Sequence, residues 1–424
     1  MDATGWLLTT VAFLLVVAAA YYLTLWFLYP FWSRQPVFHT YDWWRYLSTR
    51  KFTLLQKNSR HPIRQWYRPD NVLTVGFSEV GSTTEVGSTT EVGSTTEVGS
   101  TTEVEAAYSF AQCHLHDTEH YLWGMPLAVW QNMHAGGRLS VYRDLHIQAI
   151  MTTRPCLLSL YKHPFVVVQC WDALCVDPHI QNKTRVVENL IYTHNYRLQE
   201  QPQTSPVVSL FVRETKEESV IQGVVPVLQC PLWEVAMPLF RRKLQGAFVW
   251  RRVESWHQVD EMDAALRLLA DSYDFVALPE RAMVKSRIDN GEWIAYTVHD
   301  PVKDRSPVKD RSPVKDRSPV KDRALMAIYV AKRRFLVHEN DEDRQSVEWM
   351  ASWRHPDWPI DNFLWGWWMS LQHMGPHRIL VALRGHNREL MSSTTPVLQQ
   401  GRQAWYLFHM ACLPVDANRS LVCL

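Results

Sequence analysis

FVVVQCWDALCVDPHIQNKTRVVENLIYTHNY, residues Phe165 to Tyr196, is the stretch whose reading decides the fold. Its apolar run from Phe165 to Val176 is stopped by Asp177-Pro178, and Val186 to Tyr196 carries apolar residues at helical spacing. The stretch therefore reads as buried strand, polar basic loop, helix. Asn182, Lys183, Thr184 and Arg185 fall at the helix start, where the first-turn amides are unpaired and point outward. Two readings stand: a seat for phosphate or pyrophosphate, and an ordinary solvated strand-to-helix connection.

Working outward, Glu119 to Met133 has helical apolar spacing, and Leu145 to Met151 and Cys156 to Leu160 read as short strands around Arg154-Pro155. Val207 to Arg213 is strand-like, and Val220 to Val227 continues the pattern. Strands, helix and strand in succession make an α/β unit. A second round follows. Met262 to Ala270 reads as helix, and Phe275 to Leu278, Trp293 to Val298 and Ala324 to Val330 as strands. Ile360 to His373 is a Trp-rich buried helix, with strands at Ile379 to Leu383 and Trp405 to Cys412. The pattern predicts an α/β fold of two similar halves, 105–235 and 236–424.

With 424 residues and 46% hydrophobic composition, the chain can bury a large core. Lys plus Arg number 44 against 43 Asp plus Glu, so no global field attracts a nucleic-acid backbone, and nucleic acid is excluded as a partner. Seven cysteines without a metal-type C-x-x-C pair argue for reduced thiols rather than a disulfide framework.

No charged side chain occurs from Ala3 to Ser33, and Trp6 to Trp32 is apolar apart from a few Thr and Tyr. At 1.5 Å per residue this exceeds a hydrocarbon core of about 30 Å, so residues 4–32 are expected to cross a bilayer. A signal peptide is the competing reading, through Ala18-Ala19-Ala20, although Asp2 stands where such peptides carry Lys or Arg. Tyr21, Tyr22, Trp26, Tyr29, Phe31 and Trp32 make an interface belt, and Arg34, Arg45, Arg50 and Lys51 follow it. A single-pass protein with its body in the cytoplasm is the expectation. Residues 33–104 form a juxtamembrane segment in which 79–103 repeat VGSTTE, and 301–323 repeat PVKDRS. Exact polar hexads bury no face, so both are read as flexible insertions.

Leu174-Cys175-Val176, Lys183-x-Arg185-Val186 and Leu190-Ile191 resemble the acyl-CoA loop of the N-myristoyltransferases, L-C-V, R-S-K-R-V-A-P and L-I, with one extra residue after Val176. Ile147 to Leu160 is similar to the family's I-S-A-I-P-A-N-I-H-I strand pair. Gly375 to Leu383 resembles its G-F-D-V-F-N-A-L strand, and Ala404 to Leu424 its closing Y-Y-L-Y-N-W-K-C and G-L-V-L. The resemblance covers most of residues 144–424 and is dense near 170–191 and 403–424. It implies two tandem acetyltransferase-like halves behind a transmembrane helix.

The resemblance also implies a chemistry: transfer of a fatty acyl group from myristoyl-CoA, or a related acyl-CoA, to the amine of an N-terminal glycine in a peptide or protein. Burying a dozen methylenes at ~0.8 kcal/mol each supplies roughly 10 kcal/mol before ordering costs. By the same resemblance a strand bulge aims the Ala173 and Leu174 amides at the thioester oxygen, donors worth ~3 to 4 kcal/mol, and residues 182–187, Asn182 to Val187, receive the coenzyme. The family's base is its terminal carboxylate, which falls on Leu424. Asp172 stands for an asparagine that contacts the incoming amine, with a structural hydrogen bond as its alternative, and Asn195 for a nearby threonine. Departures are Asn182, Thr184, Val187-Glu188 and Arg384-Gly385, which replace a basic residue, a lysine, A-P and D-L; Glu188 facing a pyrophosphate would repel it. An acetyltransferase-fold enzyme with a shorter donor and a catalytically silent membrane protein are the alternatives.

Cys113, His114, His116, Asp117 and His120 have ligand-like spacing but no second cluster, so a solvated helix start is preferred and no metal is expected. Arg241, Arg242, Lys243, Arg251 and Arg252 suit either anionic lipid or an exposed connection, and Trp365, Trp367 and Trp368 read as core.

Overall fold

The computed structural model describes residues 3–48, 50–55, 62–77, 101–115, 121–200, 207–215, 220–236, 248–300, 325–338, 345–374, 379–384, 390 and 397–424. Most of the first repeat, all of the second, His116, Asp117, His120, Arg241 to Lys243, 375–378 and Gly385 lie outside the described residues.

The helices are α1 (Ala3–Leu28), α2 (Trp43–Leu47), α3 (Thr101–His114), α4 (Leu127–Met133), α5 (Lys183–Glu200), α6 (Trp256–Ala270), α7 (Arg281–Asp289) and α8 (Ile360–Gln372). In chain order, the strands of a first group are β1 (Phe52–Leu54), β2 (Val72–Gly76), β3 (Tyr121–Trp123), β4 (Arg138–Arg143), β5 (Ile147–Leu160), β6 (Val166–Val176), β7 (Ser209–Thr215) and β8 (Leu228–Ala236). Those of the second are β9 (Val249–Arg252), β10 (Phe275–Leu278), β11 (Trp293–His299), β12 (Leu325–Arg333), β13 (Leu336–His338), β14 (Gln345–Arg354), β15 (Ile379–Arg384), β16 (Val397–Phe408), β17 (Met410–Cys412) and β18 (Ser420–Val422).

One mixed sheet of 14 strands runs β18-β10-β5-β6-β7-β16-β8-β15-β14-β12-β11-β9, with β4 beside β5 and β2 beside β4. Two parallel pairs organise it. β6 and β7 are joined through α5, and β14 and β15 through α8, which is the crossover that parallel neighbours require. Late in the chain, β16 inserts between β7 and β8 and ties the two regions into one sheet. The expected hairpin is present as β11 paired antiparallel with β12.

Several elements differ from their sequence reading for identifiable reasons. β5 is one strand of 14 residues rather than two. On its side away from β6, β4 pairs as far as Thr153 and β10 begins at Leu157, so Pro155 falls where no ladder is interrupted. The helix expected over 119–133 is shortened to α4, because Gly124 and Pro126 separate it from β3. Thr101–Glu103, the end of the first repeat, is not flexible linker but the first turn of α3. Glu103 there pairs with Arg143 at 2.8 Å, and Val104, Ala107 and Ala111 follow as a buried stripe. Val220–Val227 is not a strand; it turns at Gly223, φ +79°, against the side chain of Leu25.

Helix α8 packs on β12 where the Tyr329 hydroxyl donates to the Phe363 carbonyl at 2.7 Å. Gly366 leaves room for that phenol, and an added Cβ would overlap it. Gly366→Ala should gain ~1 kcal/mol of helix propensity and lose ~1 to 3 kcal/mol to overpacking, a net destabilisation visible as a lower denaturant midpoint. A raised midpoint would show that Tyr329 withdraws freely.

Candidate functional site

β6 and β7 pair only from Gln169–Trp171 to Ser209–Phe211, although both strands continue beyond. The parting coincides with a bulge. Trp171 opposes Thr153 and Leu174 opposes Met151, which leaves Asp172 and Ala173 against Thr152. A cavity of about 880 Å³ occupies the opening, with Asp172, Ala173 and Leu174 on one side and Phe211, Val212 and Arg213 on the other. Its volume suits a small-molecule site, and Trp130, Met133, Trp171, Ile191, Ile221 and Trp405 make much of its lining apolar. Phe31 and Trp32, assigned to the interface belt on sequence, also face into it.

Helix α5 supplies another wall. Val186 N donates to the Asn182 carbonyl at 3.1 Å, which makes Asn182 the cap and leaves Lys183, Thr184 and Arg185 as the first turn. Asn182 to Arg185, with Gln65, Trp66 and Glu188, line a second hollow of about 630 Å³. Lys183, Thr184 and Glu188 face both hollows. Val187 reaches the main cavity, whereas the Val186 side chain is buried in the core. The Glu188 carboxyl is raised by burial against a weaker opposing hydrogen bond to Trp66, and it lies on the side of the helix where an anion would sit.

Charged groups cross the cavity wall. Arg154 Nη2 lies 3.2 Å from Asp172 Oδ1, and His134 Nε2 lies 3.2 Å from Asp172 Oδ2. Burial alone would push the Asp172 carboxyl up; the Arg154 guanidinium and the His134 hydrogen bond outweigh it and hold the group well below the usual carboxylate range. The contact with Arg154 engages Asp172 Oδ1, and this pairing favours the anionic carboxylate. The Ala173 amide donates to Thr152 Oγ1 at 3.0 Å, and that hydroxyl also contacts His134 Nε2 at 2.8 Å. An oxyanion role for Ala173 therefore requires its amide to leave Thr152. Leu174 is partly exposed on the cavity wall.

Asn195 does not line the cavity. It is buried within α5, donates to the Ile191 carbonyl at 2.9 Å and accepts from the Ser209 hydroxyl at 3.3 Å, which corrects its placement beside an amine. Leu424 does line it. β18 lies parallel to β10, Cys423 N donates to the Ala277 carbonyl at 2.8 Å, and Lys332 Nζ donates to Leu424 O at 3.4 Å. Lys332 is also 3.9 Å from Glu292, which Arg287 approaches at 3.7 Å. Arg154, His134, Thr152 and Lys332 escaped sequence reading. For Arg154 and Lys332 the only signal was a cation inside each apolar strand run, IMTTRPCLLSL and LMAIYVAKR; His134 and Thr152 gave none.

Among the described residues no cluster of His, Cys, Asp or Glu could hold a metal ion.

No family model and no curated protein matches the sequence. Solved structures do. Saccharomyces cerevisiae N-myristoyltransferase with bound myristoyl-CoA superposes with a TM-score of 0.62 at 10% identity, over 92% of this chain and 94% of that one. A second structure of that yeast enzyme with bound myristoyl-CoA gives the same score and identity over 92% and 89%, and one with bound myristoyl-CoA and inhibitors over 94% and 94%. The chain has the N-myristoyltransferase fold, in a highly divergent sequence.

Asp172→Asn leaves Arg154 buried and unpaired, which should cost about 3 to 5 kcal/mol at pH 7. A depressed carboxyl stabilises the fold above its unfolded pKa of about 3.9 and loses that contribution as pH falls toward its folded value. The gap between variant and parent in denaturant titrations should therefore narrow below about pH 4. A gap unchanged from pH 7 to pH 3 would contradict the ion pair.

Proposed function

We propose that this protein is an acyl-CoA-dependent N-acyltransferase, held at a membrane by α1, that moves a fatty acyl group to the amine of an N-terminal glycine. The observation that carries the reading is the parting of β6 and β7 at the bulge, which opens into a largely apolar cavity walled by the start of α5. The acyl chain occupies the apolar lining, and the pyrophosphate meets the first-turn amides of α5 with Asn182, Lys183, Thr184 and Arg185 around it. The two parallel crossovers are read as the cores of two acetyltransferase-like halves, 105–235 and 236–424, and myristoyl-CoA or a related thioester as the donor.

In the proposed reaction the neutral amine attacks the thioester carbon, the carbon–sulfur bond breaks and the coenzyme leaves as its thiol. A free α-amino group has a pKa of about 7.7 to 8.0, so roughly a tenth is neutral at pH 7 and a weak base suffices. The carboxylate of Leu424, positioned by Lys332, takes that role. Asp172 and Arg154 organise the wall beside it, and the amides of Leu174 and, once released from Thr152, Ala173 receive the developing oxyanion. Residues Thr4–Leu28 are long and apolar enough to cross a membrane, and the basic residues that follow support a reading with the body on the cytoplasmic side. All seven cysteines are free, in keeping with that compartment.

A catalytically silent protein of the same fold is the second reading, favoured by Glu188 at the pyrophosphate seat and by the occupied Ala173 amide. Calorimetry with myristoyl-CoA, acetyl-CoA and free coenzyme A separates the possibilities. A strong preference for the long chain supports the proposal, equal binding points to a shorter donor, and no binding leaves the silent protein. Glu188→Gln should tighten coenzyme A binding, by up to about tenfold. One residue added after Leu424 should abolish turnover while leaving donor binding intact.

A further inference from the structure

The chain after α1 folds back along it. The Tyr21 hydroxyl meets Thr40 Oγ1 at 3.0 Å, and the Tyr22 ring packs edge-on against Tyr41 at 4.9 Å. Tyr21 lies seven residues before the end of α1, about 10 Å down the helix, so α2 begins level with Tyr21 and Tyr22 rather than beyond Leu28. One face of the last turns of α1 is held by the body, while Leu23, Phe27 and Leu28 on the rest of it stay exposed. Leu25 is buried against Gly223, and Arg34 sits over the Trp26 ring at 4.6 Å. The 17 residues from Thr4 to Ala20, by contrast, are almost wholly exposed and span roughly 26 Å, close to a hydrocarbon core.

At the level where that exposed segment ends, α2 presents an apolar face to solvent. Trp43 and Trp44 are stacked at 3.8 Å and are 52% and 70% exposed, and Tyr46 and Leu47 are 45% and 69% exposed. Soluble proteins seldom show such a contiguous patch, whereas Trp and Tyr beside basic residues are the composition of a headgroup-level contact. Arg45 stands among them, and Arg50 and Lys51 follow.

We propose that α2 is a second membrane contact: Trp43, Trp44 and Leu47 enter the headgroup and acyl boundary of the bilayer that α1 crosses. The inference rests on α1 being a membrane span, as in the reading above. It makes the body a rigid rider on the bilayer instead of a tethered one, because α1 is docked to it through Leu25 and α2 is fastened through Thr40 and Tyr41. Phe31 and Trp32, which line the cavity, lie between the two contacts in the chain.

The test uses the full chain in vesicles of phosphatidylcholine and phosphatidylserine, with benzoylphenylalanine at Leu14, Trp44 or Leu268 in three separate preparations. Leu268, on α6 and 70% exposed, is the control. After irradiation, phospholipid adducts are expected on the peptides carrying positions 14 and 44 and not on that carrying 268. An adduct at 14 without one at 44 overturns the inference and leaves the anchor standing. A protein–protein crosslink at 44 in place of lipid overturns it in favour of a second copy, and labelling at 268 equal to that at 44 overturns it as non-selective. No adduct at 14 removes the anchor and the inference with it. Circular dichroism and myristoyl-CoA binding in detergent verify that each labelled chain is folded.

Discussion

A parallel strand pair that ends after three registered residues is the constraint on which this structure depends. Once β6 and β7 part, their facing amides and carbonyls lose ladder partners, and an unpaired buried backbone group is costly. The bulge at Asp172-Ala173 turns part of β6 aside, and Thr152 takes the Ala173 amide. The opening that remains is held apart by α5 on one side and by the insertion of β16 beside β7 on the other. Cavity, helix start and bulge are consequences of one interrupted ladder.

The charges in that opening follow from burial. Arg154 and Glu292 are 2% and 1% exposed, and neither could remain ionised without a partner. Burial raises the Glu292 carboxyl, with Lys332 and Arg154 opposing it, while Asp172 is held low because Arg154 touches it directly. Two buried carboxyls that both feel Arg154 are thereby pushed in opposite directions. Lys332, between Glu292 and Leu424, links the buried carboxyl to the last residue, so its loss would disturb both.

The strand, basic loop and helix of 165–196 are legible in sequence because their signals are local: an apolar run, a proline stop and a helical period. Phe275–Leu278 is recovered to the residue for the same reason. What is not legible depends on distant partners. Pro155 reads as a break until β4 and β10 are seen to leave its position unpaired. The polar end of the first repeat becomes helical only because Glu103 finds Arg143 and the stripe after it finds a core. At the site, Leu424 and the start of α5 are reachable by resemblance, but Asn195 is not where resemblance places it. A polar side chain in mid-helix gives no sign of whether it faces a cavity or, as here, the Ser209 hydroxyl.

The segment that follows the apolar helix is packed into the cavity wall. Phe31 is buried against Trp66 at 5.2 Å, Trp66 borders the hollow at the start of α5, and Trp32 stacks toward Phe211 at 5.9 Å on the strand that bounds the cavity. The peptide that leaves the apolar helix is therefore structural to the opening between β6 and β7 and cannot be a passive leash. Any tilt of α1 would be transmitted through Leu25 and Gly223 to the turn whose Ile221 amide is held by Tyr406, beside the same cavity. The end of the apolar helix and the cavity wall are one packed unit, which is the physical reason to regard that helix end as part of the site's framework.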